Sequence, residues 1–291
     1  MKLLDRRYQL IDFGMGRKLE SLAGYLVDRP SPAAVGTVAR RPARWKDADA
    51  TYNAEQRVWE YHQSWPAGLA IDCGGFQMPV RPTPYGHIGL FPEQHQNWRW
   101  LGNRGEMDGT ESVESNSALN LFAYTGASTV ALARAGFSVA HVDAAKPNVQ
   151  SARLAAEKNN LGEATIRYLV DDAAKFAARE VRRQRKYHTI VMDPPAYGHS
   201  PKGKAWRLER DLWPLLNDCL KLLDRESFRL LLTGHSPEVG QQEILQFLRQ
   251  TTFLKSFRGS SRLIIQSGRS QLRDEEDRIL DAGFFVRVQT P

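Results

Sequence analysis

The amino-acid sequence predicts an α/β protein in which a smaller N-terminal β-rich domain precedes a Rossmann-like, doubly wound sheet. After about residue 118, short apolar runs alternate with stretches of helical periodicity, which is typical of a parallel sheet with helices on both faces. Before about residue 90, the chain is rich in Trp, Tyr, Pro and Gly and contains short strand-like runs. We therefore divide it into an N-terminal domain, residues 1–88, which could dock a substrate, and a larger domain, residues 89–291.

The larger domain begins with a connecting segment in which Pro92 suits the first turn of a helix that extends to residue 100. Five apolar runs then predict strands, at residues 119–124, 139–143, 166–170, 189–192 and 228–233. Helical stretches accompany them, at residues 129–135, 148–159, 173–185, 208–223 and 239–250. Two more strand-like runs, 262–265 and 284–288, are expected at the far edge of the sheet. Ligands of such sheets bind at the carboxyl ends of the strands, so functional residues are expected there.

Composition and charge limit the classes of protein to which the chain can belong. No segment approaches the roughly 20 apolar residues that a membrane-spanning helix needs, and the charged N-terminus is unlike a secretory signal. Two cysteines are too few for a disulfide framework or a cysteine-rich zinc site. We therefore expect a cytoplasmic protein with no metal ion and no membrane partner. The net charge of +7 favours a polyanionic partner such as RNA.

The basic residues form three local clusters. One lies within residues 40–46, and a second, within residues 179–186, lies on a predicted helix and is typical of a solvated helix face. The third follows the predicted fourth strand closely enough to border a site at its end, and its members are Lys202, Lys204, Arg207 and Arg210. This third cluster is the one we expect to be functional.

The first predicted strand leads into the turn Tyr124-Thr125-Gly126, which is followed by a helix. A dinucleotide site would require the glycine spacing G-x-G-x-x-G, because three glycines let the backbone approach a pyrophosphate. Here only Gly126 is available. The turn therefore suits a ligand without a diphosphate, and NAD is disfavoured.

Acidic residues end the next two predicted strands. Asp143 lies 17 residues after Gly126, where a carboxylate can accept hydrogen bonds from both hydroxyls of a ribose. Asp171 and Asp172 end the third strand and could accept from an adenine amine. Each acid could instead cap a helix or lie in a solvated loop, and Asp172 directly precedes a predicted helix. A nucleoside with a small charged tail fits these strand ends, and S-adenosylmethionine is such a ligand.

The fourth predicted strand ends at Asp193-Pro194-Pro195-Ala196-Tyr197. The prolines fix φ and lack an N–H group, so the segment presents carbonyl acceptors in a rigid arrangement. Tyr197 could cover a flat substrate. Acceptors and a stacking ring together suit a planar group that carries donors, such as a nucleobase amine. The alternative interpretation is a turn that merely ends the strand.

These residues resemble a known family, the class I S-adenosylmethionine-dependent methyltransferases, and specifically the group that contains ribosomal-RNA large-subunit methyltransferases. The resemblance covers about residues 86–236. It rests on four segments: Asn120-Leu121-Phe122-Ala123-Tyr124-Thr125-Gly126, Val142-Asp143, Asn159-Asn160-Leu161 and Met192-Asp193-Pro194-Pro195. The upstream segment at residues 89–94, with Asn97 and Arg99, also matches that group.

The resemblance implies a site for S-adenosylmethionine as the cofactor. By position, the residues around this cofactor would be Phe122, Ala123, Tyr124, Thr125, Gly126, Ser128, Asp143, Ala144, Asp171, Asp172, Ala173 and Asp193. Within this set, Asp143 would hold the ribose, and Asp172 or Asp171 would hold the adenine. The catalytic residues would be Asp193, Pro194, Pro195 and Tyr197. The first two of these would face the transferred methyl group.

One departure from the group concerns the chemistry. Members that methylate cytosine at its ring carbon use a cysteine nucleophile at the end of the fifth strand. This chain has Leu232-Thr233-Gly234-His235 there, and neither Cys73 nor Cys219 ends a strand, so a covalent mechanism is not expected. Methylation of a base nitrogen needs no protein nucleophile, because the nitrogen attacks the sulfonium methyl directly and the enzyme supplies positioning. His199 or His235 could take up the released proton.

The sequence therefore predicts an S-adenosylmethionine-dependent methyltransferase that acts on RNA, with ribosomal RNA as the leading candidate. Substrate contacts are expected from Lys202, Lys204, Trp206 and Arg207, although Trp206 could instead pack beneath its loop. Two other hypotheses stay open. One is methylation of a small molecule or a protein side chain, and the other is a non-catalytic RNA-binding protein on the same fold. The sequence does not indicate whether the protein forms homo-oligomers.

Overall fold

The chain forms two compact units. The N-terminal unit contains the residues up to Gln96 together with Ser270–Ala282. The sheet unit contains Asn97–Arg269 and Gly283–Pro291. The computed structural model describes residues 7–103, 116–162, 165–198, 205–257 and 263–291.

The N-terminal unit is rich in β-structure, as predicted. Its elements are β1 Tyr8–Gly14, β2 Arg17–Leu22, β3 Tyr25–Pro30, α1 Pro42–Trp45, β4 Ala50–Asn53, β5 Val58–Tyr61, β6 Ala70–Asp72 and β7 Gln77–Pro79, with 3-10 turns at Pro32–Ala34 and Pro92–Gln94. Strands β1 to β5 form one sheet in chain order, while β6 and β7 form a separate hairpin. All neighbouring pairs in the larger sheet are antiparallel except β3 and β4.

The remaining elements form or surround a seven-stranded sheet. Its strands are β8 Ser117–Leu121, β9 Ser138–Asp143, β10 Ile166–Val170, β11 Thr189–Met192, β14 Arg229–Gly234, β15 Ile264–Arg273 and β16 Ile279–Gln289. A small antiparallel pair lies outside it, β12 Tyr197–Gly198 and β13 Trp206–Arg207. The helices are α2 His95–Gly102, α3 Ala127–Arg134, α4 Lys146–Lys158, α5 Ala173–Arg182, α6 Leu208–Leu222, α7 Gln241–Gln250 and α8 Thr252–Ser256.

The strand order confirms the predicted doubly wound architecture. It runs β10-β9-β8-β11-β14-β16-β15, with the first five strands parallel and β16 antiparallel to β14. The chain moves outward from β8 to β10 and then returns to β11 on the other side of β8. The reversal therefore lies between β8 and β11, which is where ligands of doubly wound sheets bind. Every residue of β11 and β14 is buried, in keeping with a parallel sheet covered on both faces.

Four elements differ from the sequence prediction in where they begin or end. Strand β8 ends three residues early because Phe122 and Tyr124 adopt left-handed backbone angles, with φ of 55° and 49°. Helix α5 ends at Arg182, and the left-handed Gln184 that follows (φ 55°) stops it. The last two strands are much longer than their apolar runs. Most residues of β15 are exposed, so polar side chains there hide the strand from a hydrophobicity pattern.

Within the described stretches, no helix has both the length and the apolar character needed to cross a bilayer. The two units differ in charge. The N-terminal unit has 14 Lys and Arg residues against 15 Asp and Glu, whereas the sheet unit has 26 against 18. Part of the balance in the N-terminal unit comes from the turn between β15 and β16, where Glu275 and Glu276 form ion pairs with Arg41. The basic cluster near residue 40 is thus largely neutralised.

A buried carboxylate organises the N-terminal unit. Asp12 lies where the register of β1 and β2 shifts, and it has no exposed surface. Its oxygens accept hydrogen bonds from the backbone N–H groups of Phe13, Arg40 and Arg41, the indole of Trp45 and the guanidinium of Arg278. Burial alone would raise the pKa of Asp12, but the hydrogen bonds outweigh it and hold the pKa below its usual value. One side chain therefore links β1, α1 and the β15–β16 turn.

We expect Asp12→Ala to destabilise the protein by about 3–5 kcal/mol, because it leaves Arg278 and several backbone donors without their buried acceptor. Urea unfolding monitored by circular dichroism measures the change. Asp47→Ala is the control, since Asp47 makes only an exposed 3.8 Å contact with Arg44 and its loss should cost at most about 1 kcal/mol. Equal unfolding midpoints for the two variants would contradict the assigned role of Asp12.

Candidate active site

The carboxyl ends of the parallel strands meet at one edge of the sheet. Leu121 at the end of β8 is the register partner of Met192 at the end of β11, and Met192 is also the partner of Leu232 in β14. On the other side, Val170 at the end of β10 pairs with Asp143 at the end of β9. The structure therefore brings together residues 122–126, 143–144, 171–173 and 193–197, which the sequence nominated separately.

The turn after β8 places backbone at this edge in an unusual conformation. Gly126 has a φ of 91° and precedes α3 directly. A Cβ atom at position 126 would lie 2.8 Å from the Cβ of Ala152 in α4, so a larger residue would push two helices apart. The turn is held by hydrogen bonds from Ala123 N–H to the Val142 carbonyl and from Gly126 N–H to the Ala123 carbonyl. Only glycine fits this position.

Asp143 connects the turn to the second strand. Its Oδ2 accepts from the Tyr124 N–H at 2.8 Å, and its Oδ1 accepts from the Ala145 N–H at 2.9 Å and from Asn148 Nδ2 at 3.0 Å. Burial raises the pKa of Asp143, and these hydrogen bonds oppose the rise. A carboxylate has about four acceptor positions, so roughly one is left for a ribose hydroxyl. Asp143 thus orders the Tyr124 turn and retains the capacity to bind a ribose.

The other residues of the nominated cofactor set differ in accessibility. Thr125 and Ser128 are half-buried in the turn and the first turn of α3, and Ala144 is half-buried after β9. Ala173 is buried in the hydrophobic core at the start of α5. Thr125, Ser128 and Ala144 can therefore contact a ligand at this edge more readily than Ala173 can.

Asp171 and Asp172 already have local partners. Asp172 is the N-cap of α5, and its Oδ1 accepts from the Lys175 N–H at 2.9 Å. Asp171 accepts from the Asp172 N–H and forms a 2.5 Å ion pair with Arg179. The Asp171 N–H also donates to the carbonyl oxygen of Asp143, which ties the two strand ends together. The capping alternative for Asp172 is therefore real, and its second oxygen is the atom that could reach an adenine amine.

Three buried polar side chains form a hydrogen-bonded series beneath the turn, which the sequence did not indicate. Asn120 Nδ2 donates to Thr129 Oγ1 at 2.9 Å, and Thr129 Oγ1 lies 2.9 Å from His141 Nδ1. Burial, with a smaller contribution from Arg153, lowers the pKa of His141 to about 3, so the ring is neutral. These hydrogen-bonded side chains join β8, α3 and β9 directly under the glycine turn. They are too far apart in sequence, and too dependent on strand register, to form a recognisable motif.

The Asp-Pro-Pro segment faces the end of β14. Thr233 Oγ1 donates to Asp193 Oδ1 at 2.7 Å, and Thr233 is fully buried. Burial raises the pKa of Asp193, while the Thr233 hydroxyl and the nearby His235 lower it. Among the described residues, none donates a hydrogen bond to Asp193 Oδ2 or to the carbonyl oxygen of Pro194. Consecutive residues at the strand end therefore each retain an acceptor, Asp193 Oδ2 and the Pro194 carbonyl oxygen.

A glycine on β16 makes room for the turn that carries His235. Gly283 has a φ of 121°, and a Cβ atom there would lie 2.4 Å from the Gly234 carbonyl oxygen and 3.2 Å from the Cβ of His235. His235 itself is exposed at the sheet edge. The close approach fixes where the chain leaves β14, and with it the position of Thr233 and His235 beside Asp193.

The two aromatic residues near the prolines differ in how exposed their side chains are. Tyr197 is 52% exposed and can present its ring to a substrate. Trp206 is buried: its ring lies 4.9 Å from that of Phe122, and its indole N–H donates to the Pro195 carbonyl at 2.7 Å. This is the packing alternative for Trp206, which braces the segment rather than offering a free face.

The basic residues of this region are only partly described. Arg207 is exposed in β13, paired with Tyr197, and its N–H donates to Asp211. Lys202 and Lys204 lie outside the described residues, as does His199. In the part of the chain that the structure describes, no group of three His, Cys, Asp or Glu side chains is arranged to hold a metal ion.

We expect Asp143→Asn to weaken binding of S-adenosylmethionine about 10- to 100-fold, because the new amide turns a donor toward N–H groups and loses a charge-assisted acceptor. Isothermal titration calorimetry measures the affinity. Asp224→Asn is the matched control, since Asp224 likewise accepts backbone N–H groups but lies at the opposite edge of the sheet. If both variants bind the cofactor like the unmodified protein, Asp143 is not a cofactor residue.

Comparison with known proteins places this site in a family. No protein-family model matches the chain. The crystal structure of an S-adenosylmethionine-dependent methyltransferase from Agrobacterium tumefaciens superposes with a TM-score of 0.83 at 31% sequence identity, covering 96% of this chain and 89% of that one. The similarity therefore extends over nearly the whole of both proteins.

Two curated relatives share a shorter region. Ribosomal RNA large subunit methyltransferase I from Escherichia coli O139:H28 is 32% identical over 172 aligned positions, and the match covers 54% of this chain and 43% of that protein. Ribosomal RNA large subunit methyltransferase K/L from Methylococcus capsulatus is 28% identical over 183 residues, which are 62% of this chain and 23% of that protein. The chain spans less than half the length of either relative. The strand order, the glycine turn and the near full-length match to the Agrobacterium enzyme together show that the chain belongs to the class I S-adenosylmethionine-dependent methyltransferases.

Proposed function

We propose that the protein transfers a methyl group from S-adenosylmethionine to a nitrogen atom of a nucleobase in RNA, with ribosomal RNA as the substrate. The pairing of Asp193 with Thr233 carries this proposal. It directs one carboxylate oxygen toward the hydroxyl and leaves the other, with the Pro194 carbonyl, as acceptors for a ligand. Two adjacent acceptors suit the two N–H groups of an exocyclic amine.

The cysteines support chemistry at nitrogen rather than at the cytosine ring carbon. The chain contains only Cys73 and Cys219, and both are buried free thiols. Burial raises the pKa of the Cys73 thiol to about 12 and raises that of Cys219 as well. Burial therefore disfavours, at both cysteines, the thiolate that covalent catalysis requires, and Cys219 lies in the hydrophobic core. The end of β14, where a nucleophile would stand, carries Thr233 and His235 instead.

The chain's own residues can supply the positioning that direct transfer needs. When bound, S-adenosylmethionine supplies a methyl group on a positively charged sulfur. Asp193 Oδ2 and the Pro194 carbonyl accept from the substrate amine and turn the nitrogen lone pair toward that methyl group. Tyr197 covers the flat face of the base. The N–C bond forms as the C–S bond breaks, and the methylated nitrogen then releases a proton, for which the exposed His235, whose charge acts on Asp193, is a candidate acceptor among the described residues.

The RNA substrate is proposed from charge and from the relatives. Both curated relatives act, by name, on large-subunit ribosomal RNA. The surplus of positive charge lies in the sheet unit, which contains the site. A cytoplasmic location follows from the same proposal. Of the nominated basic contacts, the exposed Arg207 is retained as a substrate contact, together with Lys202 and Lys204, whereas Trp206 is assigned to bracing the Asp-Pro-Pro segment.

The proposed division of labour keeps residues 1–88 for substrate docking and residues 89–291 for catalysis, except that Ser270–Ala282 and the residues up to Gln96 pack in the N-terminal unit. The near-neutral charge of the N-terminal unit means that docking there would depend on shape and on aromatic contacts. Four rings in this unit form a continuous edge-to-face series, namely Tyr25, Trp65, Trp59 and Tyr52. Both indole N–H groups donate to backbone carbonyls, so these rings chiefly build the unit's interior.

We expect Asp193→Ala to reduce methylation of ribosomal RNA by on the order of 10²–10³-fold, because a preorganised acceptor at the reacting group is lost. Mass spectrometry of nucleosides from RNA incubated with the protein and labelled S-adenosylmethionine identifies the product and its rate of formation. Glu157→Ala, an exposed change on α4, is the control for general damage. Methylated RNA at an unchanged rate would refute the role of Asp193, and a product methylated at cytosine C5 would refute nitrogen as the acceptor.

We expect Thr233→Val to lower kcat/KM at neutral pH on the order of tenfold and to move the rising limb of the pH profile to higher pH. The rate requires ionised Asp193, so it rises as pH passes through the pKa of that group. Removing the hydroxyl raises this pKa, because the hydrogen bond stabilises the charged form. Thr233→Ser retains the hydroxyl and should restore the profile, while Thr290→Val removes a remote hydroxyl as a control. An unshifted profile for Thr233→Val would rule out this coupling.

A further inference from the structure

The sheet unit carries an exposed basic surface at the amino ends of its parallel strands. Its members, which we call the amino-edge surface, are Arg167, Arg182, Arg183, Arg185, Lys186, Lys221 and Arg225, and all seven are exposed. Most of them lie in two segments, the end of α5 with the loop to β11 and the loop between α6 and β14. Both segments lead into the amino ends of parallel strands, whereas the active site lies at the carboxyl ends.

The two segments are fixed to each other by backbone contacts. The Tyr187 N–H donates to the Leu222 carbonyl at 2.8 Å, and the Asp224 N–H donates to the Tyr187 carbonyl at 3.0 Å. Lys186 Nζ donates to the Lys221 carbonyl at 2.7 Å. Backbone contacts also order the end of α5. The Gln184 N–H donates to the Val181 carbonyl and the Arg185 N–H donates to the Glu180 carbonyl, because the left-handed Gln184 turns the backbone back toward the helix. The cations therefore project from an ordered backbone, which lowers the entropic cost of binding a ligand.

Arg167 joins this surface from the edge strand β10. Burial and the hydrogen bond to Glu180 raise the pKa of Tyr187, while Arg167 and Arg185 both act in the opposite direction. Both positive charges therefore act on the same phenol. Arg167 is exposed near the amino end of β10, so it extends the basic surface from the two loops onto the outermost parallel strand.

The acidic residues nearby leave the surface positively charged. Glu180 is buried and bonded to Tyr187 and Arg183, and Asp218 is paired with Lys221. Asp224 accepts backbone N–H groups of its own loop. Across the described stretches, no carboxylate lies within 4.0 Å of three further arginines, Arg182 at the end of α5 and Arg185 and Arg225 in the loops. Unpaired guanidinium groups at a fixed spacing are the usual ligands of phosphate oxygens.

We propose that the amino-edge surface binds the phosphate backbone of the RNA substrate, away from the nucleotide that is methylated. This proposal rests on RNA being the substrate. Tyr187 and Asp193 are six residues apart along one strand, so the surface and the site are separated by about 20 Å at 3.3 Å per residue. A folded RNA can span this distance, with one nucleotide in the site and a neighbouring helix against the arginines. Such contacts would add affinity without sequence specificity.

The test neutralises the three unpaired arginines together, as Arg182→Gln, Arg185→Gln and Arg225→Gln. The matched control neutralises three exposed cations of the N-terminal unit, as Arg57→Gln, Arg81→Gln and Arg273→Gln. Both proteins lose the same charge. Fluorescence anisotropy with transcribed large-subunit ribosomal RNA between 50 and 200 mM salt (roughly the range over which phosphate contacts dominate) gives affinity and its salt dependence.

We expect the amino-edge variant to lose on the order of tenfold in affinity, to reduce the salt slope by about 2–3, and to raise KM for RNA with kcat unchanged. Its affinity for S-adenosylmethionine should not change. Equal losses in the two triple variants would overturn the proposal, because only total charge would then matter. Retained RNA affinity with lost binding to phosphatidylserine vesicles would assign the surface to membranes instead. Wild-type protein that binds S-adenosylmethionine but no RNA would refute the proposed substrate itself, and this inference with it.

Discussion

The register of the parallel strands is the constraint on which the rest of the sheet unit depends. Leu121, Met192 and Leu232 are aligned across three neighbouring strands, so the residues that follow them leave the sheet side by side. A slip of one residue in any strand would turn its side chains to the other face and remove the contact between Asp193 and Thr233. At the amino ends of the same strands, this alignment also brings together the two basic loops that precede β11 and β14. Both surfaces of the unit are therefore consequences of one hydrogen-bonded ladder.

The ends of the strands could be predicted from the sequence because buried parallel strands are short apolar runs, and here each run stops at an acid or a turn. Asp143, Asp171 and Asp193 were identified in this way, and all three lie at one edge. The partners of these acids could not be predicted. Thr233 follows Asp193 by 40 residues, and their contact depends on which strands are neighbours and in what register. A hydrophobicity pattern contains neither piece of information.

Ion pairs between residues far apart in the sequence could not be predicted for a similar reason. The basic cluster within residues 40–46 has no acidic partners nearby in the sequence other than Asp47 and Asp49, yet Glu275 and Glu276 lie against Arg41 from more than 230 positions later in the chain. Strand β15, which leads into this turn, is exposed along most of its length and has only a weak apolar pattern. Conversely, the sequence pattern predicts a solvated helix face for the basic cluster within residues 179–186. Helix α5 ends at Arg182, so Arg183, Arg185 and Lys186 lie in the loop that follows it.

The unequal charge of the two units has a consequence for how the protein meets a polyanion. The sheet unit attracts a polyanion such as RNA, whereas the N-terminal unit carries almost no net charge. A polyanion that approaches the protein is therefore drawn to the unit that contains the candidate site, and fewer of its encounters are spent on the other unit. By pairing with Arg41, Glu275 and Glu276 act as an insulator within the N-terminal unit, because they neutralise a cation that would otherwise compete for the polyanion.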